Sequence, residues 1–169
     1  MQKSLDIEFE KAVRMLVYQM TVSEEGSRKP ILFHDIRVGT YLYGKNYSHE
    51  VVLAGLLHDA LEWSSVTEDA LKESFGEEIL LIVRANTKDR SIKDSDGRID
   101  DLAQRAAEAG REALIVRAAD TLDSFKHYTK TENQSELEYC RKNAEAIFRY
   151  KPDGLEDEIF EELKKFMAN

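Results

Sequence analysis

An all-α fold is predicted by three features of the chain. Apolar residues recur mostly at helical rather than alternating spacing, only two prolines (Pro30 and Pro152) occur, and the apolar segments are separated by short polar or glycine-containing breaks. At 169 residues the chain is long enough for a sizeable core and too short to make two full-sized domains the default. The expectation is one compact multi-helix bundle over 1–169, its core at about 5–150, with a C-terminal helix at about 155–167 packed on it.

Each element has its own signal. Residues 4–20 place Leu5, Phe9, Val13, Leu16, Val17 and Met20 on one side of an amphipathic helix, which "SEEGSRKP" ends through Gly26 and Pro30. A second helix is expected over about 33–44, with Gly44 and Asn46 marking the turn after it. Ser48 can then cap "HEVVLAGLLHDALEW", read as one helix running to Trp63. A short helix near 67–74 leads through Gly76 into the apolar "EEILLIVRANT". The polar stretch "KDRSIKDSDG", residues 88–97, is the best candidate for a mobile loop inside one domain. After Gly110 the segment 111–126 is apolar on most faces and is expected to be a central buried helix. Two amphipathic helices, at about 134–149 and 155–166, follow, joined by "KPDG", and no internal repeat is present.

Bulk chemistry excludes several classes. No apolar run approaches the roughly 20 residues that cross a bilayer, so no membrane partner is expected. The first twenty residues carry charge through their apolar positions and show no small-residue cleavage site, which makes a cytoplasmic location the default expectation. The single cysteine, Cys140, cannot form an internal disulfide and has no metal-ligand spacing around it. A formal charge of −9 opposes a broad nucleic-acid surface but allows an anionic small molecule where basic residues gather locally. Oligomeric state is left open.

The chemistry concentrates where ionisable residues interrupt apolar helices. Asp120, in "LIVRAADTLDSF", needs a cationic partner if buried, and Arg117 one turn earlier or a metal ion would serve. His58 and Asp59, closing the apolar "VVLAGLLHD", make the same demand. These groups are explained together if they converge on one divalent cation, with His34 of "ILFHDIRVG" as a fourth ligand. Imidazole plus carboxylate suits manganese, iron, cobalt or zinc better than calcium, and an octahedral ion with four protein ligands keeps positions for water and substrate. Glu62 shares a face with His58 and Asp59 if the helix persists, where it can orient or deprotonate water. Asp35, the second half of the first His-Asp pair, reads as an exposed or helix-start carboxylate, and His49 as a solvated residue behind the cap. Arg37 and Arg117 fit either phosphate contact or pairing within their helices, and Trp63 fits packing beside the site or stacking on a base.

The order of a His in "FHDIRVG", a later His-Asp pair and then Asp120 resembles the H…HD…D signature of HD-domain metal-dependent phosphohydrolases. More narrowly, "VVLAGLLHDALEW" followed by "VTEDALKESFGEEILLIVRANTKD", together with "IVRAADTLDSF", is similar to the hydrolase domain of RelA/SpoT-type alarmone enzymes over about residues 5–150. This resemblance implies His34, His58, Asp59 and Asp120 as metal ligands, with manganese first and iron, cobalt, zinc or magnesium as alternatives. It implies Glu62, with Asp59, in catalysis, and Trp63 stands where the family places a second acid. Arg28 and Ser124 fall where the family contacts substrate, Ser124 replacing an asparagine.

The activity implied is hydrolysis of a phosphorylated nucleotide, specifically release of the 3′-pyrophosphate of a guanosine tetraphosphate-like compound through metal-activated water. Two alternatives stand beside it: a nucleoside 5′-monophosphate phosphatase of the same superfamily, and a non-catalytic nucleotide-sensing module. Loss of the second acid at Trp63 favours the phosphatase, whereas retention of Glu62 weighs against the sensor, which needs no water-activating carboxylate.

Overall fold

The computed structural model describes residues 4–20 and 29–168, and no strand occurs among them; an isolated antiparallel bridge joins Met20 to Ser64. The all-α expectation is met. The chain divides into two compact units, Met1–Thr87 and Lys88–Asn169.

The first unit is built around an apolar helix, α3 (His49–Leu57), in which every residue from Val51 to Leu57 is buried. Against it pack α1 (Leu5–Gln19), α2 (Ile31–Gly44) and α6 (Glu77–Ala85). The four-residue α4 (Ala60–Trp63) contacts α6, and α5 (Glu68–Phe75) packs on α6 as well. Glu68 receives two hydrogen bonds from Arg84, at 2.9 and 2.7 Å, which hold its carboxyl below the usual carboxylate range and tie α5 to α6.

Glycine sets the spacing of the α2–α3 pair. A Cβ on Gly39 would lie 2.8 Å from Leu56 Cβ, and one on Gly55 would overlap Leu42 Cδ1. Close approach of the two helices therefore depends on bare backbone at Gly39, where the neighbours are Leu56 Cβ and Cα, more than at Gly55, where the neighbour is a rotatable methyl. It is this approach that brings the first His-Asp pair of the sequence to the second.

Two expectations in this unit are corrected. The helix from Ser48 does not run unbroken to Trp63: α3 ends at Leu57, His58 and Asp59 form a turn, and α4 restarts at Ala60. His49 is not solvated. Its Nε2 is hydrogen-bonded to Glu8 Oε2 of α1, and both side chains are largely buried.

The second unit centres on α8 (Arg111–Lys130), buried from Ala113 through Leu122, as its apolar sequence requires. It packs against α7 (Ser95–Ala109), α9 (Gln134–Tyr150) and α10 (Glu158–Met167). Lys142 to Asp96 at 2.9 Å and Arg149 to Asp100 at 2.6 Å join α9 to α7. The Phe125–Phe166 and Phe148–Phe160 ring pairs seat the last helix.

The loop expected over 88–97 is shorter than its polarity suggests. Asp94 Oδ2 accepts from Gly97 N at 2.6 Å, so helix capping outweighs composition and α7 already begins at Ser95. Arg98 also donates to the carbonyls of Ile92 and Lys93, at 2.8 and 3.0 Å, which fastens the remaining segment.

Candidate metal centre

The first unit supplies the cluster. In α2 the buried face runs Ile31, His34, Asp35, Val38, Gly39 and Leu42, so helical spacing carries His34 and Asp35 into the contact with α3 together with the apolar side chains. The His34 N–H closes the first turn onto the Pro30 carbonyl at 2.9 Å. On α3, His58 stands at the C-terminal cap, and Asp59 starts the short turn that becomes α4. One ligand atom each from His34, Asp35, His58 and Asp59 lies within 4.8 Å of all the others, and all four residues are buried.

The imidazoles are oriented for lone-pair donation. His58 Nδ1 lies 2.7 Å from the Gly55 carbonyl, and since a carbonyl only accepts, the ring proton sits on Nδ1 and leaves Nε2 bare. His34 Nε2 lies 3.1 Å from the Lys29 ammonium, which can only donate, so this nitrogen is an acceptor whose single lone pair Lys29 engages and a metal ion would claim in its place. These two Nε2 atoms are 3.3 Å apart. Two acceptor nitrogens at that distance, with a carboxylate beside them, favour a cation among them, a need that the Lys29 ammonium meets on one side and a divalent ion would meet for the whole cluster. Asp59 Oδ2 is 3.5 Å from His58 Nε2 and 4.0 Å from His34 Nε2.

The donor set fits a divalent ion. Two metal–ligand bonds of about 2.0–2.2 Å at near-tetrahedral or octahedral angles hold their donors roughly 3.0–3.5 Å apart. The His34–His58 and His58–Asp59 separations, 3.3 and 3.5 Å, fall in that range, and the longer His34–Asp59 distance of 4.0 Å is close to it. Anchoring of His58 Nδ1 on a backbone carbonyl is the outer contact that fixes a ligating imidazole.

Asp35 corrects an expectation. It is fully buried rather than exposed, with Oδ1 3.8 Å from His58 Nδ1. The signal was present in the sequence: Ile31, Asp35, Val38 and Leu42 fall on one helical face, which an exposed carboxylate would not share. Lys29 is a second residue not singled out from sequence, although it adjoins the basic residue that was.

The remaining expected site residues are distributed as follows. Glu62 is half-buried on α4, one turn beyond Asp59, and its N–H donates to the Asp59 carbonyl at 3.0 Å. Trp63 is also half-buried. Asp120 and Ser124 are buried on α8 of the second unit, four residues apart, and Asp120 is ion-paired with Arg117 of the same helix. Arg28 lies outside the described residues.

The sequence profile of the HD domain family matches residues 12–149. The chain belongs to the HD domain family. Among relatives of this HD-domain chain, a guanosine-3′,5′-bis(diphosphate) 3′-pyrophosphohydrolase of Aquifex aeolicus is 30% identical over 117 residues, covering 64% of this chain and 17% of that protein. One of the same name from Danio rerio is 32% identical over 99 residues, covering 57% of this chain and 54% of that one. The chain thus spans less than a fifth of the first relative and about half of the second. A solved structure described as a metazoan ortholog of SpoT that hydrolyzes ppGpp superposes with a TM-score of 0.74 at 19% identity, covering 99% of this chain and 97% of that one. That likeness establishes the fold of the HD-domain chain along its length.

Proposed function

We propose that this HD-domain chain is a metal-dependent phosphohydrolase that releases pyrophosphate from the ribose 3′ position of a guanosine tetraphosphate-like nucleotide. The observation that carries the reading is the buried His34–His58–Asp59 cluster with Glu62 one turn beyond it, in a family whose relatives bear that activity in their names. The profile match runs across both compact units, which supports treating 1–169 as one HD-type domain.

His34, His58 and Asp59 would hold the ion, and Asp120 is assigned as a fourth ligand by the resemblance and by the cost of burying a carboxylate in α8. Manganese is the first choice, with iron, cobalt, zinc or magnesium as alternatives, because mixed imidazole and carboxylate donors suit such ions. A bound divalent ion supplies Lewis-acid charge and an acidified water. Glu62 would orient that water and take its proton. The Lys29 ammonium, 3.1 Å from His34 Nε2 here, would be displaced from that nitrogen by the ion and would then meet the phosphates, and Arg28 and Ser124 are assigned to substrate by the resemblance. The water oxygen would bond to the phosphorus carried by the ribose 3′ oxygen as the bond from that phosphorus to the 3′ oxygen breaks, the proton taken by Glu62 passing to the leaving 3′ oxygen, so that guanosine diphosphate and pyrophosphate are the products.

A charge of −9 supports a small nucleotide rather than a nucleic acid as partner. No helix among the described residues is long and apolar enough to cross a membrane, and a cytoplasmic location belongs to the same proposal. Trp63, in place of the family's second acid, favours a nucleoside 5′-monophosphate phosphatase as the second reading. Assay of the metal-loaded protein with guanosine tetraphosphate and with nucleoside monophosphates separates the two: pyrophosphate from the first supports the alarmone reading, and phosphate from the second alone supports the phosphatase. Intact nucleotide throughout supports a sensor.

A further inference from the structure

Phe33 is 60% exposed although it adjoins the buried His34 in the chain. Arg37, one turn later, lies over its ring, with the guanidinium carbon 4.8 Å from the ring centroid. Four residues earlier, Lys29 directs its ammonium to His34 Nε2. Phe33 and Arg37 share one face of α2 at the four-residue interval, and Lys29 precedes the helix at its N-terminal end, just before the Pro30 cap. Lys29 thus reaches the metal cluster from the start of α2, while Phe33 and Arg37 lie off the helix's buried face.

We propose that Phe33, flanked by Arg37, is the stacking platform for the nucleobase of the substrate, a specificity-determining position that rests on the nucleotide reading above. Adjacent Cα atoms are about 3.8 Å apart and one helical turn rises about 5.4 Å, so the Phe33 ring lies within a nucleotide's length of His34. With the phosphates at the cluster and at Lys29, the nucleoside end reaches a flat apolar ring bordered by a guanidinium, the pairing that holds bases elsewhere through stacking and cation–π attraction. Trp63, the other aromatic considered for this role, is half-buried.

The test compares two ligands that share phosphates but not a base. Metal-loaded wild type, Phe33→Ala and Phe33→Trp are titrated calorimetrically with guanosine diphosphate and with inorganic pyrophosphate. Phe33→Ala is expected to weaken guanosine diphosphate by about tenfold or more while leaving pyrophosphate unchanged, and Phe33→Trp to retain wild-type affinity. Undiminished guanosine diphosphate affinity in Phe33→Ala, an equal loss for both ligands, or no guanosine diphosphate binding by the wild type would each overturn the platform. Turnover is read separately. A protein that binds with base dependence but leaves guanosine tetraphosphate intact contradicts the hydrolase reading and leaves Phe33 in its role.

Discussion

His34 Nε2 and His58 Nε2 face each other at 3.3 Å across the contact of α2 with α3. Neither histidine is placed by its own helix alone. Gly39 lets the helices close to this distance, and the Gly55 carbonyl fixes the His58 ring at 2.7 Å.

Widening that contact is therefore expected to disperse the cluster. In Gly39→Ala the new methyl meets Leu56 Cβ at 2.8 Å and Leu56 Cα at 3.3 Å, atoms that move only with the helix, whereas in Gly55→Ala it meets the rotatable Leu42 Cδ1. Overpacking costs about 1–3 kcal/mol, and replacing a helical glycine by alanine returns roughly 0.5–1 kcal/mol. Gly39→Ala should lose stability in urea and lose metal affinity, and Gly55→Ala should stay closer to wild type in both.

Asp35 is expected to support the histidines electrostatically from inside the core. Asp35→Asn keeps its volume and removes the charge 3.8 Å from His58 Nδ1, so affinity for manganese or cobalt should fall by about 10–100-fold. Titration with either metal reads this directly. Unchanged affinity would reduce Asp35 to a packing residue.

Ligation and water activation are separable. Asp59→Ala should lose both metal and turnover, because Asp59 Oδ2 borders both Nε2 atoms. Glu62→Gln should keep the metal and lose about 10²–10⁴ in kcat, the usual contribution of a positioned acid or base. Metal content and kcat measured on the same preparations make the distinction, and full activity in Glu62→Gln would remove Glu62 from the mechanism.

Asp120 needs a gentler substitution. Asp120→Ala leaves the buried Arg117 guanidinium without its carboxylate and should destabilise the protein by about 3–5 kcal/mol, obscuring any loss of metal. Asp120→Asn, folded by circular dichroism, should bind less metal than wild type. Wild-type metal content in that variant would remove Asp120 from the ligand set.

Much of this was legible in the sequence because burial and helical period leave strong traces. The apolar stretch at 51–57 and the apolar segment after Gly110 read as buried helices and are buried helices. His34, His58 and Asp59 stood out because each interrupts or closes such a stretch, and the structure gathers the three. Asp35 was misread since a carboxylate at a helix start is commonly solvated, and its shared face with Val38 and Leu42 carried less weight than its type. His49 was misread because its partner, Glu8, lies far away in sequence, and helical period reports which face is buried but not which distant charge meets it. The break at His58–Asp59 left no proline or glycine to mark it.

The central claim is tested most directly by incubating manganese-loaded protein with guanosine tetraphosphate and following pyrophosphate release in wild type and Asp59→Ala. Pyrophosphate formed with guanosine diphosphate by the wild type and abolished in Asp59→Ala is the predicted result. Intact guanosine tetraphosphate with manganese bound, or release that persists in Asp59→Ala, would contradict it.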